Sequence, residues 1–141
     1  MPGKINAIHL KLAHRQEMRP VATARTVAGM GLEGDLSFGR KIRQVLLIEQ
    51  ETLDELGLAH GLVRENVVVE GLPLAGLSEG ARLLLGSVLS EVTGNCAPCE
   101  DLIGALRPGL VQAINGRRGT FVRILEDGEV RVGDEVRIVV E

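Results

Sequence analysis

A chain of 141 residues and 15.1 kDa fits one domain over 1–141, because soluble domains cluster near ~100–150 residues and two cores in this length leave each half marginal. Sixteen Lys and Arg against nineteen Asp and Glu give a net charge of −3, which leaves no broad basic field for nucleic acid; without Trp or Tyr, and with only Phe38 and Phe121, stacking platforms are missing as well. The longest stretch free of Lys, Arg, Asp and Glu, Pro108 to Gly116, is far short of the roughly 20 apolar residues of a membrane-spanning helix, and the start Met1-Pro2-Gly3-Lys4 lacks the apolar run of an export signal, so the cytoplasm is the expected location.

In chain order, Ile5 to Leu12 sets Ile8, Leu10 and Leu12 on one parity and His9 and Lys11 on the other, the period of a half-buried strand. Arg19 to Val27 is a second β-leaning segment, and it runs into the Gly29 to Gly39 stretch, too rich in glycine for a regular element and expected as an irregular loop. Arg43 to Ile48 reads as a buried strand, then Glu49 to Leu56 as a short helix capped by Gly57. Glu65 to Glu70 is β-branched, and Ala81 to Leu85 with Val88 to Thr93 flank Gly86-Ser87 as a hairpin. Leu102 to Leu106 and Leu110 to Ile114 read as short helical pieces. Thr120 to Leu125, Val130 to Val132 and Val136 to Val140 are strands joined by turns at Asp127-Gly128 and Gly133-Asp134. Short strands, Gly-rich turns and brief helices predict a mainly β fold, a mostly antiparallel barrel rather than a βαβ sandwich.

The sharpest chemical feature is Cys96-Ala97-Pro98-Cys99. Two cysteines without an export signal make no disulfide framework, and four readings stand. A structural zinc site wants four ligands, while His9, His14 and His60 are scattered in sequence. A redox pair wants a helix N-terminus in a βαβ setting. Two inert, buried cysteines would serve as small hydrophobes. A single working thiolate would carry sulfur or ligate a soft metal. Glu100-Asp101 could open a helix whose dipole would favour a thiolate at Cys99, or the two acids could oppose it.

The chain also carries, in order, Gly31-Leu32-Glu33-Gly34-Asp35, Arg43-Gln44-Val45-Leu46-Leu47-Ile48, Arg64-Glu65-Asn66, Gly71-Leu72, the Gly80 to Val92 strand pair, Thr93-Gly94 to Pro98-Cys99, Arg118-Gly119, and Arg131-Val132-Gly133-Asp134. In these pieces it resembles a stand-alone MOSC domain, the module at the C-terminus of molybdenum cofactor sulfurases. Two positions depart from that pattern: Leu36 where a basic residue is common after Gly-Asp, and Asn95-Cys96 where an Arg is common before the cysteine loop.

The resemblance implies a MOSC-like β-barrel with a few short helices and a link to the molybdopterin cofactor. It assigns to Cys99, rather than Cys96, the role of accepting or delivering sulfur or of binding molybdenum. Larger relatives reduce N-hydroxylated compounds at a molybdenum centre. An anionic pterin phosphate calls for a few aimed donors, and Arg43, Arg64 and Arg118 lie in matched pieces while Arg40 and Arg117 lie nearby. Asn66 is expected at the barrel rim facing ligand, and Asp35 is expected to bond its own turn. His9, His14 and His60 read as surface or satisfied residues. No pyridoxal-phosphate domain fits beside this one, so sulfur is expected from a separate donor such as a cysteine desulfurase. The alternatives are a CxxC thiol-disulfide oxidoreductase and a non-catalytic barrel that binds a partner protein.

Overall fold

The structure is a computed structural model and describes residues 2–140. Its strands are β1 (Gly3–Leu10), β2 (Arg19–Val21), β3 (Thr23–Val27), β4 (Gly31–Leu32), β5 (Val45–Glu49), β6 (Val67–Glu70), β7 (Arg82–Leu85), β8 (Val88–Asn95), β9 (Thr120–Ile124), β10 (Gly128–Arg131) and β11 (Glu135–Ile138). Helix α1 spans Gln50–Leu56 and α2 spans Leu110–Ile114, and between them Glu100–Gly104 forms one turn of π-helix.

Seven strands close on themselves in the order β11-β7-β8-β9-β5-β6-β1, with β1 returning to β11 through Gly3 opposite Val136 and β2 added outside β1. Closure leaves the barrel strands without a free edge, which suits many short strands that could not stand alone. All pairings are antiparallel except β5 with β6, where Leu47 lies opposite Val67. A parallel pair needs a crossover, and α1 with the following loop supplies it.

The apolar runs of β5 and β6 follow from burial on both faces. Val45, Leu47, Val67 and Val69 point into the barrel with Ile5, Leu83, Leu85, Val122 and Val136, whereas Ile48 and Val68 join Leu53, Ile103, Leu110 and Ile114 in a second cluster under the helices. Gly57 caps α1 in the left-handed conformation at φ 65°, as the sequence predicts. The Gly86-Ser87 hairpin also forms, with Leu85 opposite Val88.

Three expectations change. The Arg19 to Val27 segment is two strands in two sheets, β2 on the barrel and β3 in a small sheet with β10 and β4. The turns at Asp127-Gly128 and Gly133-Asp134 close no hairpins, because β10 leaves the barrel to pair with β3. Asp127 Oδ1 instead accepts the Ala28 N–H, and so ties the turn to a distant strand. Leu102 to Leu106 gives way to the π turn at Glu100–Gly104, which starts earlier and is drawn in by the fully buried Ile103.

Gly119 tests the packing directly, since its φ is 141° and an added Cβ would come within 2.7 Å of Leu46 Cδ1 and 2.8 Å of the Leu47 carbonyl oxygen. Gly119→Ala is expected to destabilise the fold by about 2–4 kcal/mol in urea unfolding, combining backbone strain with overpacking against main chain.

Candidate functional site

A cleft of about 320 Å³ opens at one end of the barrel, lined by Cys96, Cys99, Lys11, Arg40, Arg43, Arg64, Asn66, Arg118 and Phe121 among others. Its volume lies at the small end of the usual range for small-molecule sites. Of the candidates named from sequence, Cys99, Arg40, Arg43, Arg64, Asn66 and Arg118 line this one cleft. The Gly29 to Gly39 segment reaches the same mouth through Ser37, and it is irregular apart from the two-residue β4. Arg117 does not join them: its guanidinium pairs with Glu55 and donates to the Ala113 carbonyl 2.9 Å away.

Each wall is held by a local cause. Buried Gln44 donates to the carbonyls of Gly29 and Arg40 at 3.0 and 2.8 Å and accepts the Ile124 N–H at 2.8 Å, which fastens the Gly-rich loop to β9. Asp35 is buried and accepts from the Lys11 and Ser37 main chains at 2.7 and 3.0 Å, the second bond being the turn role expected of it. Asn66 donates to Asp35 Oδ1 and to the His9 carbonyl, both at 3.0 Å, while its Oδ1 accepts the Leu46 N–H at 2.9 Å. Both of its amide hydrogens are therefore engaged within the protein.

The cysteine loop is fixed through its main chain. The Cys96 N–H donates to the Gly119 carbonyl at 2.9 Å, and the Cys99 carbonyl accepts from Ile103 and Gly104 at 2.9 and 3.1 Å. Cys96 is half-buried, Cys99 is exposed, and both are free thiols. A five-residue π turn carries only a small dipole, so helix polarity is a weak source of thiolate stabilisation at Cys99. Nor do the following acids face the cleft: Glu100 folds against Gly104 and Asp101 lines a separate groove.

Charge is concentrated here. Lys11, Arg40, Arg43, Arg64 and Arg118 line the cleft, with no Asp or Glu among the described lining residues. Arg43 stacks over Phe121 at 5.2 Å, and Arg64 donates to the Gln16 and Ala13 carbonyls at 2.6 and 3.0 Å. Arg118 is only 5% exposed, and its Nη1 has no hydrogen-bond partner. Burial works against its charge, partly offset by Cys96, Glu65 and Cys99. Burial likewise lowers the Lys11 ammonium pKa, with Asp35 pulling the other way.

The MOSC domain family model matches residues 33–137, well over half of the chain. This chain belongs to the MOSC domain family. That family is associated with molybdenum cofactor binding or sulfur transfer. The MOSC fold is shared with the YuaD protein from Bacillus subtilis at TM-score 0.83 and 22% identity, covering 96% of this chain and 94% of that one. It is shared with YiiM from Geobacillus stearothermophilus at TM-score 0.73 and 22% identity, over 99% and 76% of the two chains. YiiM from Escherichia coli follows at TM-score 0.69 and 18% identity, over 98% and 70%. No curated protein sequence matches this chain. Among the described residues no helix is long and apolar enough to cross a membrane.

A second, larger groove of about 960 Å³ meets the MOSC cleft at Arg64 and Leu102, lined by His14, His60, Glu17 and Asp101 among others; it has mixed charge and no thiol. His9 is neither on the surface nor satisfied. It is 4% exposed, its Nδ1 has no hydrogen-bond partner, and it lies 3.9 Å from the fully buried carboxylate of Glu65. Sequence reasoning also passed over Lys11 and Glu65. The signal for Glu65 was its place between two singled-out residues in Arg64-Glu65-Asn66; an acid inside a Val-rich strand entry has to be buried with partners.

The Asn66 bonds join segments 20 to 57 residues apart in sequence. Asn66→Ala strands the Leu46 N–H in a buried site and frees Asp35, so a loss of about 2–4 kcal/mol is expected in chemical denaturation.

Proposed function

We propose that the cleft holds a molybdopterin-type cofactor by its anionic phosphate and presents the Cys99 thiolate to it. The observation that carries this reading is Arg118: a buried guanidinium with an unpartnered Nη1, in a cleft with four other cations and no lining carboxylate. A buried donor without a partner is costly, and an anion on the open side removes that cost. Arg40 and Arg43, both exposed, extend the donor set at the rim, and Lys11 closes its inner side. Asn66 and Asp35 act behind this wall by fixing Lys11 and Leu46 rather than by offering free donors.

Among the described residues no three of His, Cys, Asp and Glu come together as a metal site. A molybdenum ion is therefore expected to arrive with its own ligand set, to which the protein adds one thiolate, a soft donor suited to a thiophilic metal. When bound, the cofactor supplies the molybdenum centre and its redox or sulfur-accepting chemistry.

The exposure of Cys99 favours a second mode, sulfur carriage. Its thiolate attacks the terminal sulfur of a persulfide on a separate donor protein, such as a cysteine desulfurase. A new S–S bond forms at Cys99 as the donor's S–S bond breaks, and the electron pair leaves on the donor thiolate. No external oxidant is needed. Disulfide exchange between Cys96 and Cys99 has less support, because the pair sits after an antiparallel strand and its first cysteine is three residues short of the π turn.

Two measurements test the proposal. Arg118→Gln is expected to weaken inorganic phosphate binding by about 1.5–3 kcal/mol, with the exposed Arg43→Gln weakening it less. Unchanged binding in Arg118→Gln overturns the anion site. Molybdenum analysis and non-reducing mass spectrometry of purified Cys99→Ser should show loss of molybdenum or of persulfide, whereas Cys96→Ala retains them. Equal loss in both variants would favour disulfide exchange.

A further inference from the structure

One of the five cations lining the cleft differs from the others in its chemistry. Of sixteen Lys and Arg in the chain only three are lysines, Lys4, Lys11 and Lys41, and Lys11 is the one set among the cleft arginines. Lys4 and Lys41 are exposed, whereas Lys11 is half-buried. Its main chain is pinned on both sides: the N–H donates to Asp35 Oδ1 at 2.7 Å, and the carbonyl accepts the Leu36 N–H at 2.6 Å. Asp35, the acid whose charge reaches Lys11, is spent on other donors, with Oδ1 also accepting from Asn66 and Oδ2 accepting the Ser37 N–H. Among the described residues Lys11 forms no ion pair.

A guanidinium keeps its proton throughout the working range of a protein, so the arginines can only bind. An amine that gives up its proton is a nucleophile. We propose that Lys11 is a reactive amine, and that the cleft captures phosphate-bearing aldehydes or ketones as imines on its Nζ while Arg40, Arg43 and Arg118 hold the phosphate. This rests on the anion-binding reading of the cleft, and it adds a covalent use of the same cavity that needs neither cysteine.

The neutral amine attacks the carbonyl carbon, both of its hydrogens end on the carbonyl oxygen, and that oxygen leaves as water while a C=N bond replaces the C=O bond. No oxidant or reductant takes part. Burial lowers the Lys11 ammonium pKa, Asp35 pulls the other way, and Arg64, Arg40 and Arg118 lower it further, so more of this amine is neutral than of an exposed lysine. The arginines thus act twice, by repelling the proton from Lys11 and by holding the phosphate so that the carbonyl meets the amine at high effective concentration.

Pyridoxal 5′-phosphate is the probe, and pyridoxal, the same aldehyde without the phosphate, is its control. The purified protein with the phosphate ester should develop a visible imine band, and borohydride reduction followed by peptide mass mapping should place the adduct on Lys11 ahead of the exposed Lys4 and Lys41. Pyridoxal should label Lys11 at least about tenfold less, the scale of one lost charge-assisted hydrogen bond, and inorganic phosphate should suppress the Lys11 adduct. Folded Lys11→Arg should lose most of the band; mapping of the wild-type protein carries the test if that variant does not fold. Binding of inorganic phosphate with no preference of the probe for Lys11 over Lys4 and Lys41 overturns the role of Lys11 and leaves the anion site standing. Equal labelling of Lys11 by the two aldehydes overturns it too, since the phosphate then contributes nothing. If inorganic phosphate neither binds nor suppresses the adduct, the anion site and the role of Lys11 fall together.

Discussion

The contact on which the cleft depends is the buried hydrogen bond between Asn66 Nδ2 and Asp35 Oδ1. Through it Asp35 holds the first residue after β1 and the Gly-rich loop, while Asn66 holds β5 and the end of β1. Main-chain bonds run between the same segments, from Leu36 N–H to the Lys11 carbonyl, from His9 N–H to the Asn66 carbonyl and from Asn66 N–H to the Leu46 carbonyl. Each then presents its neighbour to the cleft: Lys11 next to Leu10, Arg40 beyond Ser37, Arg43 before β5 and Arg64 before Glu65. A buried hydrogen bond to a carboxylate is directional, so it fixes distances between loops that hydrophobic packing alone would leave loose.

That scaffold explains how a chain with net charge −3 makes a cationic site. The arginines in ion pairs, Arg25, Arg82, Arg117, Arg123, Arg131 and Arg137, pair with carboxylates outside the cleft, several of them cross-strand or near neighbours on the barrel wall. Exposed pairs of this kind add little stability. Their consequence is spatial: they account for acids elsewhere, while Arg40, Arg43, Arg64 and Arg118 form no ion pair among the described residues. The field is local to the cleft, which suits one small anion and not a polymer of phosphates.

Strands whose signal is local were legible in the sequence. The Gly57 cap and the Gly86-Ser87 turn act within a few residues, and each stands where it was expected. Partner choice is not local. Asp127-Gly128 carries a hairpin signal, yet β10 pairs with β3, some hundred residues away, because closing the barrel through β11 and β1 sends β10 to the outside. The candidate site divides the same way. Its arginines and Cys99 stood in ordered motifs, whereas the burial of His9 arises only when β1 pairs with β6, opposite Val67 and Val68, and sets it beside Glu65. Period-two alternation put His9 on the solvent parity, but that face is covered by the His60 ring, edge-on at 6.1 Å, and by the Gly61 turn.

The cysteine loop shows how the fold separates shape from chemistry. Its entry is held by the Cys96 N–H on Gly119, beside Arg118, and its exit by the Cys99 carbonyl on the π turn that Ile103 anchors in the second core. Both constraints use main-chain atoms, and neither uses sulfur. Among the described residues the only thiol hydrogen bond is a long one of 3.8 Å from Cys96 to the Ala97 carbonyl, worth little beside the backbone bonds. A thiol that the loop does not need for its own shape is free to be spent on reactivity, and the exposed one is Cys99. It follows that replacing either cysteine leaves the loop's main-chain anchors intact, so a difference between the two variants reports on the thiols themselves rather than on folding.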